Sequence, residues 1–177
     1  MPTIGGFSIV RSMRQVVLIA HNLRSCQNVG SLLRTAEGLA VETVYLTGYT
    51  PYPSAANDER LPHLAQKNDA QIHKSALGAE QMISWKHNRH IEPVLDELRS
   101  DDFIIVALEQ QTDAVSLPTF QPAQKMALIV GREVEGIEAE IIAQCDTVIQ
   151  IPMLGHKESY NVAAAAAMAL YHLTFTA

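Results

Sequence analysis

The sequence predicts an α/β fold, in which a mostly parallel sheet is covered by helices on both faces. Uninterrupted runs of β-branched and aliphatic residues recur along the chain, and this pattern is typical of strands buried on both sides. Between these runs, apolar residues stand three and four apart, as on one face of a helix. We find no internal repeat, low-complexity linker or domain boundary, and we predict a single domain over residues 1–177.

The amino-terminal half is predicted to alternate strands with helices. Residues 15–20 (QVVLIA) form the first buried strand, and a polar loop follows them. The next elements are a helix over residues 27–40, a strand over 42–47, an exposed loop over 48–57, a mainly helical segment over 58–78 that Pro62 interrupts, a short strand near 82–85 and a helix over 91–99.

The carboxyl-terminal half continues the same alternation. Its predicted elements are a strand over residues 103–108, a strand over 125–130, a helix over 137–143, a strand over 146–151 and an alanine-rich helix that begins near Tyr160. Gly131 and the turn GREVEG follow the second of these strands, and Pro152 breaks the last one. Strands that alternate with helices in this way favour a parallel sheet.

The charge of the chain is unevenly distributed. The net charge of −6 argues against a protein that coats nucleic acid nonspecifically. The first 36 residues nevertheless lack Asp and Glu but contain Arg11, Arg14, Arg24 and Arg34. A basic amino-terminal face can hold a phosphate backbone locally, and we predict RNA contacts at Arg11, Arg24 and Arg34. The alternative interpretation is that these arginines are ordinary solvated surface residues.

Other features of the sequence exclude whole classes of function. No apolar run reaches the roughly 18 residues that span a membrane, and the opening residues lack the pattern of a secretory signal. Cys26 and Cys145 do not form a CxxC pair and fit a reducing compartment, so we predict a cytoplasmic protein without a membrane segment. GxGxxG, phosphate-loop and GxSxG motifs are absent. His87 and His90 are predicted to be surface histidines, and no metal site is predicted.

Three polar segments follow strands of the predicted sheet. Their notable residues are Asn28, Gly30 and Arg34 in the first, Gly131, Glu133 and Gly136 in the second, and Pro152, Gly155, Ser159 and Asn161 in the third. Open α/β sheets bind ligands at the carboxyl ends of their strands, where these segments are expected to meet. Ser159 and Asn161 also stand before a helix, whose free N–H groups either bind a ligand or are simply capped by these side chains.

The three segments resemble a known family. NVGSLLRTAEGLA, ALIVGREVEGI and IQIPMLGHKESYNVAAAAAMALYHL are similar, in this order, to the three motifs of the SpoU (TrmH-type) RNA ribose 2′-O-methyltransferases of the SPOUT superfamily. The resemblance runs from about Val16 to the carboxyl terminus. It implies a deep carboxyl-terminal trefoil knot that binds S-adenosylmethionine, a homodimer, and methyl transfer to a ribose 2′-hydroxyl of tRNA or rRNA. The alternatives are a non-catalytic RNA- or cofactor-binding module and a knotted enzyme that methylates a base.

The resemblance also implies roles for individual residues. The cofactor is expected to contact Leu108, Gly131, Ile151 and Met153, with Ser159, Asn161 and Ala163 closing the pocket. The positions that match catalytic or structurally essential residues of the family are Arg34, Asn28, Glu133, Ser159 and Asn161.

Physical chemistry favours particular roles for two of these residues. The guanidinium of Arg34 can bind an RNA phosphate and orient the adjacent 2′-hydroxyl, but it does not act as a base because it keeps its proton at neutral pH. We expect Glu133 to brace Asn28 or a loop; the alternative is a cap of the following helix. The general base stays unassigned.

The chain also departs from the family pattern. Tyr160 stands where Leu is usual and Ala163 where Ser is common. The sequence resembles the minimal members that consist of the catalytic domain alone, which leaves the RNA target open.

Overall fold

The computed structural model describes residues 14–56 and 58–176, and in this part of the chain all strands run parallel in one sheet. The strands are β1 (Gln15–His21), β2 (Thr43–Thr47), β3 (Trp85–Asn88), β4 (Ile104–Leu108), β5 (Val115–Ser116), β6 (Lys125–Val130) and β7 (Thr147–Gln150). The helices are α1 (Cys26–Gly38), α2 (Pro62–Ala76), α3 (Glu92–Ser100), α4 (Ala139–Ile142) and α5 (Val162–Phe175).

The sheet has a core on each of its faces, as the uninterrupted apolar strands predict. Side chains of a strand point alternately to the two faces. Leu18 of β1 accordingly packs with residues of α1, α2 and α5, whereas Ile19 packs with residues of α3 and α4. β1, β4 and β6 are covered on both sides, and hence their sequences show no polar interruption.

The order of the strands brings sequence-distant loops together. The order is β3-β2-β1-β6-β4-β7-β5, so β6 lies between β1 and β4, and β7 lies between β4 and β5. Because the strands are parallel, their carboxyl ends share one edge of the sheet. The segments that follow β1, β4, β6 and β7 therefore converge at this edge, where open α/β sheets bind ligands.

Most predicted elements are confirmed, with bounds that differ by a few residues. The strand predicted near residues 82–85 is wrong, because residues 79–81 form a 3₁₀ turn and the strand begins at Trp85. Pro62 does not interrupt a helix but occupies the first turn of α2. Backbone N–H groups in the first turn have no partner within the helix, so a proline there costs no hydrogen bond. The two-residue strand β5 was not predicted, since so short an edge strand leaves no pattern.

His87 is a further correction. It is half-buried in β3, and its ring stacks on Tyr52 with the ring centroids 3.9 Å apart, so it is not the predicted surface histidine. His90 is exposed as predicted, and Arg11 lies outside the described residues. No helix in the described part of the chain combines the length and the apolar character needed to cross a bilayer.

Candidate active site

A cleft opens at the carboxyl edge of the sheet, beside the start of α5. It holds about 710 Å³ of free space, open solvent at its mouth included. Its walls are formed by Leu108, Glu109, Gln110, Val130, Gly131, Arg132, Glu133, Val134, Glu135, Gly136, Gln150, Ile151, Ser159, Tyr160, Val162 and Ala165. The cleft thus has apolar strand ends on one side and polar loop residues on the other.

The residues expected to contact the cofactor divide into two groups. Leu108, Gly131, Ile151 and Ser159 line the cleft, whereas Met153, Asn161 and Ala163 are not among its lining residues. The lining residues of α5 are instead Val162 and Ala165, which are three apart and therefore share a helix face. Tyr160, which departs from the family pattern, also lines the cleft.

The loop after β6 has a fixed and narrow shape. The backbone groups of Arg132 and Gly136 bond to each other reciprocally, each N–H lying 3.2 Å from the other residue's carbonyl oxygen. Gly136 has φ +71°, which favours glycine, and a Cβ on Gly131 would lie 2.6 Å from Cγ1 of Ile137. The glycines therefore allow a tight turn that presents residues 132–135 at the mouth of the cleft.

Glu109 anchors this loop to the end of β4. Its Oε2 accepts a hydrogen bond from the Ile137 N–H at 2.9 Å, and its Oε1 accepts one from the Gln110 N–H at 2.9 Å. Gln110 in turn donates from Nε2 to the Ile151 carbonyl at 2.7 Å. Neither side chain was predicted as a site residue. The only indication of a role in the sequence was their position directly after a buried strand.

A chain of hydrogen bonds joins the three motif segments. Glu133 Oε1 accepts from Asn28 Nδ2 at 3.0 Å, and Asn28 Oδ1 accepts from Asn161 Nδ2 at 3.1 Å. Asn161 Oδ1 caps α5 by accepting from the Ala163 N–H at 3.0 Å. We call Asn161, Asn28 and Glu133 the amide relay. Asn161 therefore caps its helix, as one interpretation held, and also contacts another motif.

Glu133 makes further contacts as an acceptor. Its Oε1 also accepts from the Ser25 N–H at 3.1 Å, and its Oε2 accepts from the Arg24 N–H at 3.3 Å. Burial raises the pKa of Glu133, but backbone hydrogen bonds and the Asn28 amide outweigh it and bring the net pKa below its ordinary value. Glu133 is thus ionised at neutral pH, and the expected brace between Glu133 and Asn28 is present.

Three further polar residues, Arg24, Arg34 and Ser159, are exposed. Arg34 lies on α1, does not line the cleft, and makes no hydrogen bond or ion pair with any residue that the structure describes. The Ser159 hydroxyl lines the cleft and likewise makes no hydrogen bond within the described ranges. Arg24 pairs with Glu135, their Nη2 and Oε1 atoms lying 3.1 Å apart. Arg34 is thus not among the residues that line the cleft of its own chain.

Comparison with known proteins gives a consistent result. A family model described as the SpoU rRNA Methylase family matches residues 15–171. A tRNA (guanosine(18)-2′-O)-methyltransferase from Borreliella burgdorferi is 26% identical over 159 residues, which cover 89% of this chain and 65% of that protein. The chain thus spans less than two thirds of the length of this curated relative.

Solved structures share the fold. The SpoU methyltransferase AviRb from Streptomyces viridochromogenes, in complex with the cofactor AdoMet, aligns with a TM-score of 0.74 at 23% identity, over 93% of this chain and 58% of that one. A protein whose structure gives insight into the 2-OH methylation of C/U34 on tRNA aligns with a TM-score of 0.72 at 20% identity, over 91% of this chain and 95% of that one. These likenesses show the α/β fold, and the match of the family model over most of the chain shows that this protein belongs to the SpoU rRNA methylase family.

Proposed function

We propose that the protein is an S-adenosylmethionine-dependent methyltransferase that acts on a ribose 2′-hydroxyl of tRNA or rRNA. The observation that carries this proposal is the amide relay, which joins the three motif segments at a cleft that Glu133 lines. Membership of the SpoU family supports the reaction class, and the Borreliella relative, named for 2′-O methylation of tRNA, supports the ribose as the acceptor.

The lining of the cleft supports this choice of cofactor. Leu108, Ile151 and Val162 line it and offer apolar surface to an adenine ring. When bound, S-adenosylmethionine would supply an electrophilic methyl group on its sulfonium. The Ser159 hydroxyl, which has no partner among the described residues, is available to bind cofactor or substrate at the mouth of the cleft.

The protein's own residues would position the ribose. Transfer of a methyl group requires the hydroxyl oxygen to be held about 3 Å from the methyl carbon, and the arrangement must tolerate loss of the hydroxyl proton. We assign the phosphate clamp to Arg34, whose planar guanidinium can bind two phosphate oxygens. Glu133 is assigned a bracing role, because Asn28 and two backbone amides already bind its carboxylate.

The position of Arg34 leads us to propose a homodimer in which each copy supplies Arg34 to the cleft of the other. Arg34 is exposed and is not among the lining residues of its own cleft. α5 exposes the apolar side chains of Met168, Tyr171 and Phe175, at 38%, 61% and 49% of their full accessibility, on the outside of the molecule. A second copy that covers them would remove this apolar surface from water.

We also propose that the carboxyl-terminal part is knotted. Support comes from β6 and β7, which insert between strands that precede them, and from the 2.8 Å hydrogen bond between His172 Nε2 on α5 and the Phe120 carbonyl before β6. Stretching the protein by its ends in an optical trap tests the knot. A tightened knot would leave the extended chain shorter than its residue count allows, whereas an unknotted chain would reach full length.

The first test of function uses labelled S-adenosylmethionine and RNA from cells that lack the protein. Digestion and mass spectrometry locate the label, with Arg34→Ala and Asn161→Ala as inactive variants. Label on a ribose 2′-oxygen, lost in both variants, would support the proposal and identify the RNA. Label on a base would replace it with a base methyltransferase. Cofactor binding without transfer to any RNA would indicate a non-catalytic module.

A further inference from the structure

A second groove lies between the start of α1 and the end of α2. It holds about 940 Å³ of free space, its mouth included, and it is lined by Arg24, Ser25, Cys26, Gln27, Gln71, Lys74 and Ser75. Two of these residues are cationic, and none of them is acidic. This composition departs from that of the whole chain, whose net charge is −6.

The walls of the groove are held at a fixed separation. Gly30 of α1 packs so closely on α2 that a Cβ there would lie 2.3 Å from the Ile72 carbonyl oxygen. The Ser75 hydroxyl donates to the Gln27 carbonyl at 2.9 Å and ties the two walls together. The groove is thus a fixed feature of the contact between α1 and α2.

The lining of the groove includes two cations, although the carboxylates of Glu133 and Glu135 contact Arg24 from outside the lining. Lys74 and Arg24 are exposed, and within the described ranges Lys74 makes no hydrogen bond or ion pair. Arg24 pairs with Glu135, but the two side chains are 63% and 42% exposed, and such surface pairs contribute little and exchange readily.

The groove is continuous with the amide relay. The backbone N–H groups of Arg24 and Ser25, which line it, bind the carboxylate of Glu133. Asn28 follows the groove residues Cys26 and Gln27 on the first turn of α1. Glu133, which lines the cleft and binds two groove residues, therefore links the groove to the cleft.

We propose that the groove binds a backbone phosphate of the substrate RNA, close to the nucleotide that is methylated. Lys74 and Arg24 supply the charge, and the side-chain amides of Gln27 and Gln71 supply neutral donors. This inference rests on the proposed function, since it concerns the same RNA. It adds Lys74 and α2 to the recognition surface and explains how a chain of net negative charge holds a polyanion at one place.

The test compares Lys74→Gln with Lys86→Gln. Lys86 is also exposed, but it pairs with Glu97 of α3 on the opposite face of the sheet, which makes it a matched control. Affinity is measured over a range of salt concentrations for the RNA fraction that accepts the methyl label, or for unfractionated tRNA if no fraction does. Affinity for S-adenosylmethionine is measured in parallel.

We expect Lys74→Gln to weaken RNA binding several-fold and to reduce the slope of log affinity against log salt by about one, because one phosphate contact is lost. Cofactor affinity should not change. Lys74→Arg, which keeps the charge, should restore RNA binding. Lys86→Gln should resemble the wild type in both measurements.

Two results would overturn the inference, and they are distinguishable. If the wild type methylates RNA while Lys74→Gln and Lys86→Gln bind it with the same affinity and salt slope, the groove is not a phosphate site and the proposed function stands. If the wild type neither binds nor methylates any RNA, both proposals are wrong.

Discussion

Glu133 shows how one side chain organises the site. Its carboxylate accepts hydrogen bonds from the Asn28 amide and from the backbone N–H groups of Arg24 and Ser25. These donors belong to the loop after β1 and to α1, whereas Glu133 belongs to the loop after β6. A buried donor that loses its acceptor costs more than the average hydrogen bond contributes. The Ser25 and Asn28 donors are only partly buried and the Arg24 donor is exposed, so this cost is moderated by water. We therefore interpret Glu133 as a brace whose loss affects folding as well as activity.

Replacing Glu133 by Ala tests this interpretation. We expect a loss of about 1–3 kcal/mol in the free energy of unfolding, measured by urea denaturation, because the Asn28 amide and two N–H groups lose their acceptor. Glu135→Ala removes only an exposed ion pair and should change stability by less than about 0.5 kcal/mol. If Glu133→Ala abolished methyl transfer without any loss of stability, a role in proton transfer would be the better interpretation.

His21 provides a prediction about pH. Burial lowers its pKa from the ordinary 6.5, and the nearby Glu138 acts in the opposite direction without cancelling the effect. Its Nδ1 lies 2.8 Å from Oγ1 of Thr47, so the ring is held in place. Between the unfolded and folded pKa values of this histidine, the unfolded chain binds more protons, and acidification below pH 6.5 therefore destabilises the fold.

The prediction is checked by urea unfolding at about pH 7.5 and pH 5.5, on either side of the ordinary histidine pKa. The wild type should lose more stability on acidification than His21→Gln, which cannot titrate at this position. His90→Gln, at an exposed position, should follow the wild type. Equal pH dependence of the wild type and His21→Gln would show that His21 is not the group responsible.

At the scale of elements, the contact between α1 and α2 depends on one small residue. A Cβ on Gly30 would lie 2.2 Å from Ser75 Oγ and 2.3 Å from the Ile72 carbonyl, whereas a Cβ on Gly38 of the same helix would meet no atom within 4 Å. Gly30→Ala should therefore destabilise the protein by about 1–3 kcal/mol, because the helices must separate.

Gly38→Ala is the matched control for this substitution. It should leave thermal stability unchanged or raise it slightly, since Ala is the better helix former. Thermal unfolding of both variants distinguishes a packing effect from a general effect of adding a methyl group. Equal melting temperatures for the two variants would contradict the packing argument.

The elements also show which parts of the fold local sequence can predict. β1 and β6 are identified correctly because they are buried on both faces and therefore apolar throughout. β3 (WKHN) is misplaced because its exposed and half-buried residues are polar, and only backbone pairing with β2 makes it a strand. Strand order was not predicted at all, because it depends on contacts between distant segments.

For the candidate site as well, local sequence predicted the segments but not the contacts between distant residues. The three motif segments were identified from the sequence, and the structure joins them through the amide relay. Glu109 and the groove at Lys74 were missed, because their importance comes from neighbours that are remote in sequence, Ile137 for Glu109 and the start of α1 for Lys74. Local patterns carry no information about such partners.

At the scale of the whole molecule, the proposed exchange of Arg34 between copies makes a prediction about mixed dimers. Arg34→Ala and Asn161→Ala should each be inactive alone. When the two variants are unfolded together and refolded, the heterodimer would contain one site with Asn161 from one copy and Arg34 from the other. With random pairing, about a quarter of wild-type activity should return.

Methyl transfer by the refolded mixture is the measurement, and mock mixtures of each variant with itself are the controls. If no activity returns although heterodimers form, Arg34 and Asn161 must act within one chain. If the protein stays monomeric at all concentrations, the proposed homodimer itself is wrong.

The position of β6 also matters during synthesis on the ribosome. β6 occupies the middle of the sheet, yet it is translated after both of its neighbours, β1 and β4. Until it emerges, these two strands have no partner on the sides that will later face it, and unpaired apolar strand edges bind other chains readily. The nascent protein should therefore depend on chaperones until β6 has emerged, and the amide relay forms only after Asn161 has left the exit tunnel.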